Sequence, residues 1–362
     1  MSAMTLGRTA RSLSSWIAHN ADLSFAILLA VSVYTYFALT NGLFATHNTA
    51  FAILERFAVL GPVALSLTLC IIAGEIDLSV GSNAALTAVI VVRYADSLGA
   101  VTSIALGLTI ATLIGVIQGF LIAYFRVRAI VLTVGTLMLL RGVALFVAEE
   151  KTVSLTDFDV PDFIQTRILH YFSPASVLTI ALFIVVGLFM AYTKYGREIY
   201  AIGGARKEAL AAGIGLRRPM VIVFAISGFC AGLGGAVIGL RSGTAQALGL
   251  QYLLLSGTVA AFIGGVSILG GRGGAIGAAI GTLTVNFLDT GLVFNVTPAY
   301  IVQLCLGVLL IVVIMFQTGS HLLDLYQKRQ ALLTESDQRR LELRPKVARF
   351  RDGLTRGPVP RS

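Results

Sequence analysis

The chain alternates long apolar stretches with short polar segments. Each apolar stretch is about 20 residues long, which at the rise of an α-helix is enough to cross the hydrocarbon core of a bilayer. The pattern predicts about ten membrane helices. These lie at Leu23–Leu39, Leu54–Ala73, Ile76–Val92, Val101–Tyr124, Ala129–Ala148, Ser173–Tyr192, Met220–Leu240, Tyr252–Leu269, Gly273–Phe294 and Pro298–Phe316. The third and eighth are short and interrupted by Gly or Ser, so we expect broken or re-entrant helices there.

Composition supports this interpretation. Hydrophobic residues make up 56% of the 362 residues and charged residues only 12%, about half the charged fraction of a typical soluble domain. The chain is therefore predicted to be an all-α polytopic membrane protein. We expect a cytoplasmic segment over residues 1–22, a transmembrane domain over 23–318 and a basic cytoplasmic tail over 319–362.

The positive charges predict the orientation. With a cytoplasmic N-terminus and ten spans, 21 of the 27 Lys and Arg residues fall in segments on the cytoplasmic side, as positive residues in membrane proteins generally do. Both termini are thus predicted to face the cytoplasm of a bacterial inner membrane. The net charge of +9 lies in loops and in the tail, a placement that argues against nucleic acid as a partner and identifies the lipid bilayer as the surrounding medium.

Two glycine-broken segments interrupt the apolar pattern at Ile72–Ser82 and at Ile263–Gly273. Each stands between an apolar helix and a helix rich in small residues. They indicate an internal duplication in which spans two to five match spans seven to ten. Because an offset of five spans is odd, the two halves are predicted to have inverted topology, a common plan for transport proteins.

Polar residues within the spans are candidates for lining a translocation pathway, since such residues are costly in a membrane. Amide side chains also suit sugar hydroxyls, because each offers donors and an acceptor. Two structural alternatives stay open: Asp77 or Ser79 caps the following helix, and the other residues form interhelical hydrogen bonds. The pathway candidates are Asp77, Ser79, Asn83, Gln118, Asn286 and Gln303, with Asp289 beside them.

Several chemistries are not predicted. No GxxxxGK[ST] phosphate-binding loop occurs, so the chain is not expected to hydrolyse ATP through that motif and is predicted to be non-catalytic, without a cofactor. The three cysteines have neither CxxC nor metal-ligand spacing, and we expect inert thiols and no metal site. The basic loop 193–219 differs from the other loops. Its helix-forming middle, Lys207–Ala212, is bounded by glycines and is suited to passing a movement from a partner into two membrane helices.

Two motifs resemble those of the ribose/xylose-type permeases of ATP-binding-cassette (ABC) importers, within the branched-chain amino acid/ribose permease superfamily. Residues Gly74–Gly81 are similar to the family's G-G-I-D-L-S-V-G, with Glu75 in place of the second Gly. Residues Tyr200–Gly204, followed by Glu208–Ala209 and by Gly213–Ile214, are similar to Y-A-I-G-G-N-x-E-A-A-x-x-x-G-I, with Ala205 in place of Asn and Leu210 in place of the second Ala. The resemblance covers roughly residues 20–318.

The resemblance implies a monosaccharide permease that works by alternating access. Two permease subunits, identical or different, would pair around a pathway, and separate ABC ATPase subunits would bind ATP and Mg. A periplasmic solute-binding protein would deliver the cargo. The residues expected to couple to the ATPase are Gly203, Gly204, Glu208, Ala209 and Gly213. Other cargoes of the same machine (furanoses, polyols, nucleosides or branched-chain amino acids) stay open, as does an ion-coupled secondary transporter of a small polar solute.

Overall fold

The computed structural model describes residues 21–157 and 159–319, which form thirteen helices and one two-stranded ribbon. The helices are α1 Ala21–Thr40, α2 His47–Ile72, α3 Val80–Leu98, α4 Ala100–Phe125, α5 Ala129–Ala148, α6 Asp159–Ile164, α7 Pro174–Tyr192, α8 Lys194–Gly204, α9 Arg206–Ala211, α10 Arg217–Ser242, α11 Gln251–Ile263, α12 Ala275–Phe294 and α13 Ala299–Gly319. The strands are β1 Val153–Ser154 and β2 Thr244–Ala245. One compact unit runs as far as Leu310, and the remainder of α13 belongs to a second unit.

The predicted all-α membrane protein is confirmed. Among the described residues, eight helices are long and apolar enough to cross a bilayer. The predicted spans correspond to α1 to α5, α7 and α10 to α13. Most of the predicted N-terminal segment and nearly all of the basic tail lie outside the described residues.

The second span begins at His47 rather than at Leu54, and two further predicted boundaries are wrong at the glycine-broken segments. The third span begins at Val80 rather than at Ile76. The eighth ends at Ile263 rather than at Leu269. Its helix, α11, has 13 residues and is only about 20 Å long, shorter than the roughly 30 Å hydrocarbon core. The expectation of a short helix is met by the eighth span, whereas the third is an uninterrupted helix of 19 residues and the break lies before it.

Both breaks begin with the same glycine cap. At the end of α2, Gly74 has φ +77°, its N–H donates to the Ile71 carbonyl at 2.9 Å, and the next N–H, of Glu75, reaches back to the Cys70 carbonyl at 3.0 Å. This is a Schellman motif, which favours Gly because the position is left-handed. The end of α11 repeats it around Gly265, which has φ +82°.

Helices α2, α3 and α10 form the buried centre, and glycines let α10 approach its neighbours closely. A Cβ on Gly228 would lie 2.3 Å from the carbonyl oxygen of Ala111 in α4, and one on Gly235 would lie 2.0 Å from that of Ala84 in α3. Small residues allow such approaches between membrane helices. The GxxxG rows of α4 and α10 therefore pack helix against helix.

The two ends of the bundle are marked by different elements. The ribbon marks one end: β1, which follows α5, pairs antiparallel with β2, which follows α10. The end of α3 lies there too, since Asp96 accepts hydrogen bonds from the Thr156 N–H at 3.0 Å and hydroxyl at 2.7 Å. Helices α8 and α9, which follow α7, mark the other end. These are called the ribbon end and the α8/α9 end below.

Burial predicts how the native thiols react. Cys70 and Cys230 have no exposed surface, whereas Cys305 is partly exposed. We expect N-ethylmaleimide to modify Cys305 in the folded protein and the other two cysteines only after denaturation in sodium dodecyl sulfate. Peptide mass spectrometry reads out each site, and rapid labelling of Cys70 in the folded protein would contradict the central position of α2.

Candidate functional site

Three backbone segments meet at the α8/α9 end. They are the end of α2 at Ile72–Gly74, the end of α8 at Gly203–Gly204, and Gly270–Gly271 in the segment between α11 and α12. The amide of Gly271 donates a hydrogen bond to the Ile72 carbonyl at 2.8 Å. We call this meeting of three segments the glycine junction. It brings the loop that resembles a coupling loop into contact with both breaks.

The glycine junction has no room for side chains. A Cβ on Gly203 would lie 1.8 Å from the Ile72 carbonyl oxygen, and one on Gly271 would lie 2.3 Å from the α-carbon of Gly204. Gly270 and Gly271 also have φ values of +81° and +68°, which L-residues with a Cβ rarely adopt. Backbone therefore packs directly on backbone, with no flexible side chain between the segments.

The position of the breaks corrects one sequence-based prediction. Because both breaks contact Gly203 of α8, they lie at the same end of the bundle. An inverted repeat would place equivalent segments at opposite ends. The inverted relationship predicted from Ile72–Ser82 and Ile263–Gly273 is therefore wrong for this pair of segments.

Side chains fasten the α8–α9 segment to each break. The Tyr200 hydroxyl of α8 donates to the Gly273 carbonyl at 2.8 Å, and burial raises the pKa of Tyr200, so the hydroxyl keeps its proton at neutral pH. The Arg206 guanidinium of α9 donates to the Glu75 carboxylate at 2.8 Å. Glu75 is the residue that stands in place of the second Gly of the motif quoted above.

Helix α9 is short, and it ends in a Schellman motif, the third such motif at the α8/α9 end of the bundle. The N–H of Gly213 donates to Leu210 O and that of Ile214 to Ala209 O, each at 3.0 Å, and Gly213 has φ +82°. Ala209 is buried, whereas the Glu208 side chain is exposed on the free face. Of the predicted coupling residues in and after α9, Ala209 is thus a buried anchor, Gly213 forms the glycine cap and Glu208 is an exposed acid.

A buried polar network holds the first break. The Asp77 carboxylate accepts hydrogen bonds from the Ser79 N–H at 2.9 Å and hydroxyl at 2.6 Å. Its other oxygen accepts from the Ser227 hydroxyl of α10 at 3.2 Å. The Gln118 amide of α4 donates to the Ser79 hydroxyl at 2.8 Å, and Ser66 of α2 lies 2.8 Å from Ser227. The network ties α2, α4 and α10 to the break.

Four of the six pathway candidates lie in this closed region. Ser79 bonds both Asp77 and Gln118, and Asn83 donates to the Ala111 carbonyl at 3.3 Å. None of the four lines any of three cavities, of about 740, 570 and 470 Å³, in the part of the chain that the structure describes. Asp77 orders the break through the amide of Ser79, and the Ser79 side chain makes no cap hydrogen bond to α3.

The other two candidates share a cavity near the ribbon end. We call this space, of about 570 Å³, the charged cavity. Helices α2, α10, α11, α12 and α13 line it. Its polar lining comprises Arg56, Arg241, Tyr252, Ser256, Asn286, Asp289, Thr297 and Gln303. The structure therefore brings Asn286 and Gln303 together, but separates them from the Asp77 network.

Two ion pairs hold the charges of this cavity. Arg56 of α2 bonds Asp289 of α12. Arg241, at the end of α10, places Nε 3.2 Å from the carboxylate of Glu55, which also accepts a hydrogen bond from the Ser173 hydroxyl. The sequence pattern indicated Asp289 but not its partner Arg56, because both Arg56 and Arg241 lie at the ends of predicted spans and count with the charges of the loops. Nothing in the pattern pointed to Tyr252.

Comparison with known proteins decides the family. The profile of the branched-chain amino acid transport system permease component family matches residues 49–314. The chain belongs to this family of ABC transport permeases. The ribose import permease protein RbsC of Escherichia coli K12 is 30% identical over 283 residues, 77% of this chain and 87% of that protein.

Two further relatives agree. RbsC of Haemophilus influenzae is 31% identical to this permease over 273 residues, 74% of this chain and 83% of that protein. The autoinducer 2 import system permease protein LsrD of Escherichia coli O157:H7 is 30% identical over 314 residues, 84% of this chain and 94% of that protein. No solved structure matches the permease. Family membership supports the resemblance drawn from residues 74–81 and 200–214.

The glycine junction predicts a sharp difference between two glycines of one loop. Gly203→Ala introduces a methyl group 1.8 Å from the Ile72 carbonyl, whereas Gly215→Ala meets nothing within 4 Å. Overpacking of this kind costs about 1–3 kcal/mol. We expect Gly203→Ala to lower the thermal unfolding temperature of the purified permease in detergent, and Gly215→Ala to leave it unchanged. Equal unfolding temperatures for both variants would contradict the close contact.

Proposed function

We propose that this chain is the membrane-spanning, non-catalytic subunit of an ABC importer that brings a monosaccharide or a related small polyol into a bacterial cell. Two such permeases, identical or different, surround the pathway. Separate ATPase subunits bind ATP and Mg, and a periplasmic binding protein presents the cargo. The single observation that carries this proposal is the glycine junction. It joins the α8–α9 segment, which is suited to binding an ATPase subunit, to both breaks in the membrane helices.

The contact geometry supports a coupling role for α9. Glu208 is exposed on α9, free to meet a partner, while the neighbouring Ala209, about 100° further around the helix, is buried. A push on α9 reaches the first break through Arg206–Glu75, and reaches both breaks through Gly203 and Gly204. Interdigitated backbone transmits displacement well, since close-packed regions resist compression.

The proposed orientation places the α8/α9 end in the cytoplasm. Lys194, Arg197, Arg206, Lys207, Arg217 and Arg218 lie in the segment around α8 and α9, and cytoplasmic loops of membrane proteins are enriched in such residues. With this orientation the ribbon end and the charged cavity face the periplasm. Residues 1–22 and the tail 319–362 then belong to the cytoplasmic side, and 23–318 form the permease domain.

The separation of the two sites supports alternating access. Along α2, Arg56 in the charged cavity and Ile72 in the glycine junction are about 24 Å apart at 1.5 Å per residue. We propose that nucleotide binding closes the ATPase pair and moves α9, that the breaks reorient the ends of α2, α3, α11 and α12, and that the pathway then opens inward. Asp77, Ser79, Asn83 and Gln118 keep the first break in shape, and Asn286 and Gln303 line the pathway.

Reconstitution tests the proposal. The permease is inserted in vesicles with the ATPase and the binding protein of its own operon, and uptake of radiolabelled neutral sugars and polyols is measured. We expect uptake that requires ATP and the binding protein, and that persists when ionophores collapse the ion gradients. Uptake that stops with the ionophores while ATP is abundant would identify an ion-coupled secondary transporter instead.

Glu208 provides a residue-level test. We expect Glu208→Lys to abolish co-purification of the ATPase with the permease, because the substitution reverses the charge on the exposed face of α9. The same variant should lose ATP-driven uptake while its level in the membrane stays normal. Normal uptake by Glu208→Lys would remove the coupling role assigned to α9.

The matched control is Glu150→Lys. Glu150 is an exposed acid in the segment that joins α5 to β1, at the ribbon end, and receives the same reversal of charge. Because this end faces away from the proposed ATPase contact, the Glu150→Lys permease should retain the ATPase on co-purification.

A further inference from the structure

The charged cavity is of a size that binds small molecules. Its volume of about 570 Å³ lies within the range of about 300–1,000 Å³ common for ligand pockets. Helices from the start, the middle and the end of the chain line it, and such a site between membrane helices is a typical location for transported solutes. The chemistry of its lining residues indicates which class of solute it can bind.

The charges around the cavity cancel. Arg56 is neutralised by Asp289 and Arg241 by Glu55, so the four residues carry no net formal charge. The side chains of Arg56 and Asp289 are 36% and 29% exposed, and both remain within reach of a solute. An anion or a cation would leave one member of a pair without its partner in a poorly hydrated site, which is costly. The cavity therefore favours a solute without net charge.

Asn286 gives an independent sign of a ligand. The residue is only 3% exposed, it belongs to the cavity lining, and its amide nitrogen is buried without a hydrogen-bond partner. Buried polar groups in proteins are nearly always paired. Because this nitrogen has almost no accessible surface, a rotation of the Asn286 side chain on binding would bring it to a hydroxyl group of the solute, which would supply the acceptor that it lacks.

The neutral polar groups are spread around the cavity rather than gathered at one point. Asn286 lies on α12, Ser256 on α11 and Gln303 on α13, and Leu60, Leu253 and Val285 separate them with apolar surface. The Tyr252 ring adds an aromatic face. A sugar ring has hydroxyls around its edge and apolar C–H faces, which matches this distribution. A branched-chain amino acid carries its polar groups at one end only.

We infer that the charged cavity is a solute-binding site for a net-neutral polyhydroxylated molecule of monosaccharide size. Asn286 donates to a hydroxyl of the solute, the Arg56–Asp289 pair bonds neighbouring hydroxyls, and Tyr252 packs on a C–H face of the ring. This inference rests on the proposed import function and adds the location of the site, its residues and the charge class of its ligand.

The first experiment measures uptake by the reconstituted importer for a panel of probes: D-ribose, D-xylose, D-glucose, ribitol, L-leucine and D-ribose 5-phosphate. We expect transport of at least one neutral sugar or polyol, and of neither the amino acid nor the phosphate. Transport of leucine or of ribose 5-phosphate alone would overturn the inference but leave ATP-driven import intact. Failure of the wild-type importer to move any probe would instead count against the proposed function.

Matched variants on α12 locate the site. Asn286→Leu removes the amide at nearly constant volume and should lower uptake of the transported sugar at least tenfold. Thr290→Val is the control, because the Thr290 hydroxyl is also buried without a partner but does not belong to the cavity lining. Its uptake should equal that of the wild type. Equal uptake by both variants would overturn the assignment of Asn286.

A protection measurement covers the case in which Asn286→Leu fails to fold. Gln303 is exposed on α13 and lines the cavity. In a Cys305→Ser background, maleimide labelling of Gln303→Cys should slow at least threefold in the presence of the transported sugar, with L-leucine at the same concentration as the control. An unchanged labelling rate with a sugar that the same importer transports would place its binding site elsewhere.

Discussion

At the glycine junction the Gly271 amide donates to the Ile72 carbonyl at 2.8 Å, and the α-carbon of Gly203 packs against that same carbonyl. The rest of the structure depends on this contact, because it joins both broken segments, backbone against backbone, to helices α8 and α9. Backbone in direct contact has no rotamers to absorb a displacement. A small movement of α9 is therefore passed to α2 and to the α11–α12 segment rather than lost in side chains.

The second constraint is the cost of polar groups within a membrane, where an unsatisfied backbone or side-chain group is expensive. In the break after α2 this cost is reduced by the Asp77–Ser79–Gln118 hydrogen bonds and by a glycine cap at Gly74. In the charged cavity it is reduced by two ion pairs. Asn286 does not satisfy this constraint, because its amide nitrogen is buried and unpaired, as is the amide oxygen of Asn83. Hydrogen bonds thus hold the break near the junction, and an unpaired amide belongs to the wall of the charged cavity.

The sequence predicted most of the helices and the short glycine-bounded helix in the loop 193–219 well, because hydrophobic length and glycine-bounded segments are local signals. It missed contacts between distant positions: Arg56 meets Asp289 across 233 residues and Arg206 meets Glu75 across 131. The presence of a polar residue within a predicted span marked Asn286 and Asp77 alike as pathway candidates. This signal could not distinguish a closed hydrogen-bond network from an open cavity, since that difference depends on which helices pack together. Pairing the two breaks as inverted equivalents failed for the same reason.

Cross-linking across Glu75 and Arg206 tests the central claim most directly. In a Cys305→Ser background, Glu75→Cys and Arg206→Cys are joined by a short bismaleimide after the importer is assembled in vesicles, with each single-cysteine variant treated alike. If α9 and the first break move as one body, the cross-linked importer keeps ATP-driven uptake within about twofold of the singly labelled controls. If cross-linking stops uptake while the controls remain active, the two elements must slide apart during transport, and coupling does not pass through the glycine junction as a rigid contact.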